Sequence, residues 1–137
     1  MKHLPRTEGV LAVRTDFSDD RSWKDVCAAI REPSDDGFVA NLDIVSDPDY
    51  AGLTADQVLS ILPGEPRRTF AFLIDSGALS EPEHPVLVVD LRDEPGRTFR
   101  VIPSCVWAVE NNLSIANMDF AEFAEAVDVD GIFRGWE

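Results

Sequence analysis

Val86-Leu87-Val88-Val89-Asp90-Leu91-Arg92-Asp93-Glu94-Pro95-Gly96-Arg97-Thr98-Phe99-Arg100-Val101-Ile102 is the stretch that decides the fold. Two β-branched and aromatic runs flank Asp93-Glu94-Pro95-Gly96, and its Pro-Gly centre suits a type II turn because glycine accepts the positive φ required there. The stretch predicts an antiparallel hairpin in which Leu87, Val89 and Leu91 share a face with Phe99 and Val101. Upstream, Phe70-Ala71-Phe72-Leu73-Ile74 has no polar alternation, which marks a central strand covered on both faces.

Working outward, Val10 to Thr15 reads as a first strand and Phe38 to Val45 as a second. Between them Ser18 is placed to cap a helix. Trp23, Val26, Cys27 and Ile30 recur there at helical spacing, and Asp19 and Asp20 face its unpaired N–H groups. Thr54 with Gln57, and Asp119 with Glu122, have the spacing of capping boxes. The first opens a short helix that Pro63-Gly64 closes, and the second a helix burying Phe120 and Phe123. Ser104 is placed to cap a helix carrying Trp107, whose end Asn111-Asn112 loosens. Helices and strands in alternation, with one antiparallel pair, predict an α/β single-domain sandwich: a mixed sheet of about five strands with three to four helices. Residues 1–8 read as a flexible leading segment and 128–137 as a tail docked by Ile132, Phe133 and Trp136.

Charge is the strongest functional signal. The chain has 137 residues, 26 acidic against 12 basic, and a formal net charge of −14. No Lys or Arg occurs between Glu32 and Pro66, or between Val101 and Phe133, although both intervals carry several carboxylates. Such a surface repels nucleic acid and anionic membranes and favours a basic protein or a metal ion. The leading residues have no apolar core behind their charges, so neither a signal peptide nor a membrane anchor is expected and a cytoplasmic location follows. Cys27 and Cys105 stand among apolar residues, as packing thiols do.

Two site hypotheses emerge, and neither assigns a catalytic set. Asp16, Asp43, Asp75 and Asp90 lie at or near strand ends, where a parallel sheet could gather them around Mg²⁺, an ion that prefers hard oxygen ligands; turn and cap roles explain the same residues more simply. Trp107, Glu110, Asn111 and Asn112 form a polar-aromatic run suited to anchoring a partner surface, with packing and helix termination as the plain explanation. Asp128-Val129-Asp130-Gly131 departs from calcium-loop spacing because its glycine comes too early. His3 and His84 lack the partners of a zinc site or a nucleophile triad.

Val13 to Asp20, Tyr50 to Thr54, His84 to Leu91 and Val109 to Phe120 together resemble an uncharacterised family of small actinobacterial proteins, a domain of unknown function. The resemblance implies a stand-alone cytoplasmic domain of bacterial origin and carries over no residue roles. The leading expectation is a non-enzymatic interaction or regulatory protein that binds a basic partner. The alternatives are a divalent-metal hydrolase using the strand-end aspartates and an enzyme whose cleft is assembled across a homodimer.

Overall fold

The fold is built around Phe70–Ile74, all five residues buried, in a computed structural model that describes residues 2–62 and 68–136. The strands are β1 Val10–Arg14, β2 Leu42–Val45, β3 Phe70–Ile74, β4 Val86–Asp90, β5 Thr98–Val101 and β6 Ile132–Phe133, in the order β2-β1-β3-β4-β5-β6. β1 is parallel to both β2 and β3, β4 is antiparallel to β3 and β5, and β6 is parallel to β5. The helices are α1 Asp20–Arg31, α2 Ala55–Val58, α3 Ser76–Ser80, α4 Val106–Ser114 and α5 Phe120–Ala124. This is the mixed α/β sandwich that the pattern predicts.

Each face of the sheet has its own apolar layer. Ala12, Phe72, Val88, Phe99 and Val101 meet Val26 and Ile30 of α1, Val109 of α4 and Phe123 of α5 on one side. Leu11, Val13, Leu73 and Val89 meet Leu4, Tyr50, Leu53, Val58 and Ile61 on the other. In the leading segment Leu4 is 2% exposed and its N–H donates to the Ile61 carbonyl at 2.8 Å, while Lys2, His3, Pro5, Arg6 and Glu8 are exposed. The Tyr50 hydroxyl adds a bond to the His3 carbonyl.

The hairpin forms with a different register. Val86 faces Val101 and Val88 faces Phe99, so the two β5 side chains lie on the face of Val86 and Val88, while Leu87 and Val89 belong to the opposite layer. The cause is the turn. Asp90 accepts bonds from the N–H groups of Arg92, Asp93 and Glu94, and its own N–H donates to the Arg97 carbonyl, which opens a wider loop than a four-residue turn. Because side chains alternate, an offset of one residue exchanges the faces.

Caps also differ in detail. Asp19, not Ser18, caps α1 by accepting from the Ser22 N–H at 3.0 Å. Ser18 instead donates to Asp16. α4 follows a 3-10 turn at Pro103–Cys105 and has no side-chain cap from Ser104. Both capping boxes form as read. The second strand is shorter than predicted, since Phe38 to Asn41 lies outside the ladder. The tail contributes β6, with Phe133 buried and Trp136 packed over Phe123 and Phe133. The Pro63-Gly64 helix stop lies outside the described residues.

Candidate functional site

The sheet order splits the four aspartates between its two edges. Asp16 follows β1 and Asp75 follows β3, so both lie at the carboxyl edge, beside the switch point created where β1 has parallel neighbours on both sides. Asp90 pairs with Phe70 at the start of β3, about five residues and hence roughly 16 Å along the strand from the Asp75 end. Asp43 sits toward the amino end of β1, where its carboxylate accepts from the Gly9 N–H at 2.6 Å. Glycine is needed for that approach, because a Cβ on Gly9 would lie 2.8 Å from the same carboxylate oxygen.

Each of these carboxylates already has a structural partner. Asp16 accepts from the Ser18 N–H at 2.8 Å and hydroxyl at 2.6 Å, and these bonds hold its carboxyl below the usual range. Asp75 caps α3 through the Ala78 N–H and takes both Arg100 guanidinium nitrogens, at 2.9 and 2.8 Å. Among the described residues, no three His, Cys, Asp or Glu side chains are grouped to hold a metal ion. At the same edge Arg14, 5% exposed, lies between the rings of Phe17 and Trp23 and binds Asp20 at 2.7 Å.

The run on α4 is used in two ways. Glu110 is 7% exposed, and its carboxylate accepts from the Asn41 N–H and from the Ser114 hydroxyl, each at 2.6 Å. Asn112 bonds the Ala108 carbonyl and the Asn117 side chain, and its carbonyl accepts from Asn117 and Met118, so it shapes the turn after the helix. Asn111 is exposed. Trp107 stacks in parallel on Phe38, with ring centroids 5.0 Å apart and planes inclined by 13°. Trp107 and Glu110, three residues apart on one helix, thus grip the connector between α1 and β2 at Phe38 and Asn41.

That connector makes the surface of interest. Ser34 closes it: its hydroxyl accepts from the Phe38 N–H at 3.0 Å, its own N–H donates to the Phe38 carbonyl at 2.9 Å, and Gly37 takes φ +86°. The closed loop presents Phe38 at 53% and Val39 at 49% exposure. Beside them a cleft of about 370 Å³ is lined by Ala29, Glu32, Pro33, Ser34, Asp35 and Ser104. Glu32, Asp35 and Asp36 are exposed, and no ion pair is formed by them among the described residues. Sequence reasoning placed Phe38 in a strand. The available signal was the Ser34-Asp35-Asp36-Gly37 turn chemistry directly before it.

The other acidic interval is partly neutralised by the arginines that flank it. Arg134 binds Glu83, Asp128 and Asp130 at 2.7 to 2.8 Å, and these bonds hold the Glu83 and Asp130 carboxyls below their ordinary range. Arg97 approaches Glu125 at 3.8 Å. A larger cleft of about 460 Å³ lies here between Gly77, Glu81, Glu83, Arg100 and Ile132, but its Arg100 is committed to Asp75, and its Glu83 and Asp130 to Arg134. His84, at φ +51°, places Nδ1 2.9 Å from the Ala78 carbonyl, a loop contact. Cys27 and Cys105 are free thiols, and burial pushes both up in pKa, as packing groups require.

The chain belongs to the family described as Domain of unknown function (DUF6924), whose model matches residues 9–136. A search of the curated proteins finds no match. No described helix is long and apolar enough to cross a membrane.

Proposed function

We propose that this protein is a non-enzymatic interaction module that binds a basic protein through the α1–β2 connector and the Phe38–Trp107 stack. The observation that carries this reading is an exposed aromatic, held by a closed loop on a half-buried indole, inside a sequence interval whose charges are all negative. Aromatic groups supply lasting contact area, and surrounding carboxylates speed the approach of a cationic partner and reject anionic ones. A cytoplasmic, actinobacterial setting belongs to the same proposal and rests on the family resemblance. Mg²⁺ chemistry at Asp16, Asp43, Asp75 and Asp90 has less support, since the sheet separates them and each has a bonded partner.

The test is affinity capture from a native bacterial lysate by the wild-type chain, Phe38→Ala and Trp107→Ala. The expected result is a basic protein retained by the wild type, released by salt of about 0.5 M, where the Debye length shrinks to a few ångströms, and lost with either variant. Retention that is indifferent to both salt and Phe38 would sink the proposal.

A further inference from the structure

The edge strand β2 continues directly from this aromatic loop. It is paired on one side with β1, and nothing pairs with it on the other among the described residues. In the parallel register the Asn41 carbonyl accepts from the Val10 N–H at 3.1 Å, which turns Asp43 and Val45 toward β1 and directs the N–H and C=O groups of Leu42 and Ile44 away from the sheet. Of the usual protections of an edge, β2 has neither Lys nor Pro, and its one charge is the negative Asp43, which repels an acidic strand and not a basic one. The opposite edge, β6, is only two residues long and is followed by the Arg134 cluster.

The side chains state what an added strand must carry. Ala40, Leu42 and Ile44 border the layer that contains α4, the helix of Trp107, while Asp43 and Val45 face the other way. We propose that β2 is the docking edge for an extended segment that alternates cationic and apolar side chains. Its apolar residues continue the Leu42–Ile44 face toward Phe38 and Trp107, and its cations lie on the opposite face, where Asp43 bonds Gly9 through Oδ2 and keeps Oδ1 for a cation. The backbone supplies affinity through the free groups of Leu42 and Ile44, and the alternation supplies register. Charge selects this occupant over a second copy, because two copies joined at β2 would bring the same cation-free interval from each against the other. The inference rests on the basic-partner reading above and adds the strand, the register and the chemistry of the bound segment.

The experiment uses the full chain with a peptide of about ten residues alternating Arg and Val, long enough to span the edge, and a control with Glu in place of Arg. Amide exchange is followed residue by residue. The expected result is binding of the Arg peptide alone, with exchange at Leu42 and Ile44 slowed at least about tenfold, as burial in a new ladder requires. Ile44→Pro, which removes an outward N–H, should weaken binding at least about tenfold and by severalfold more than Ile44→Ala, which trims the apolar face but keeps that N–H. If Ile44→Pro does not fold, exchange in the wild type decides. Binding without protection at these two amides overturns the strand inference, and so does equal binding of the Glu peptide or a dimer of the chain alone that protects β2. Capture that is indifferent to salt and to Phe38→Ala overturns the parent reading separately.

Discussion

The two cation-free intervals have similar composition and opposite fates. In 101–133 the fold absorbs the carboxylates: Glu110 is buried on Asn41 and Ser114, Asp119 and Glu122 close a capping box, and Asp128 and Asp130 meet Arg134 just beyond the interval. Among the described residues of 32–66, only Asp47 and Asp49 gain a cation, Lys2, while Glu32, Asp35 and Asp36 stay exposed beside an exposed aromatic. Charge counted along a sequence therefore says nothing about charge left over after folding. Arginines flanking the interval decide it.

The comparison breaks most visibly in the core. Phe123, fully buried among Phe99, Phe133 and Trp136, should cost about 3–5 kcal/mol of unfolding free energy when changed to Ala, measured by urea titration. Phe38→Ala should stay within about 1 kcal/mol of wild type while abolishing partner capture. Equal losses would mean that both aromatics are structural.

Next in size is Glu110. Glu110→Ala leaves the Asn41 N–H without its acceptor and should cost about 2 kcal/mol, with Glu110→Gln recovering part of it through the retained carbonyl oxygen. Wild-type stability in the alanine variant would return Glu110 to the list of surface contacts.

A smaller effect is expected at Arg134. Arg134→Gln should lower the melting temperature by releasing Glu83, Asp128 and Asp130 into mutual repulsion, and added salt should restore part of the loss. Asp35→Asn with Asp36→Asn should leave or raise the melting temperature, because no guanidinium is deprived of a partner.

Acid titration sharpens the same contrast. Glu83 and Asp130 are held below their ordinary pKa by Arg134, so the unfolded chain binds more protons and their contribution is present above the unfolded pKa, near 4, and lost as pH falls through the folded values. Stability should thus decline below about pH 4, and the decline should be shallower in Arg134→Gln, whose carboxylates have lost that partner. An unchanged slope would assign the acid transition to Asp16, Asp19 and Asp47, which are depressed by Ser18, Ser22 and Lys2.

What could be read in the sequence was local. Capping boxes close within four residues, the α1 stripe repeats within three turns, and β3 declares itself by unbroken apolarity. What could not be read depends on chain segments meeting from afar. The Asp75–Arg100 pair spans 25 positions and the Asn41–Glu110 bond spans 69. The hairpin was legible as a pairing but not in register, because three N–H groups converging on Asp90 set the loop length. The helix α3 was missed since a five-residue turn capped by Asp75 has too little periodicity to show.

Stacking Phe38 on Trp107 also gives the molecule an optical reporter. The other two indoles have different surroundings, Trp23 beside the Arg14 guanidinium and Trp136 over Phe123. Covering the aromatic loop would dry only Trp107 and shift its emission to the blue, so occupancy at this surface could be followed by intrinsic fluorescence, with Trp23→Phe and Trp136→Phe silencing the background.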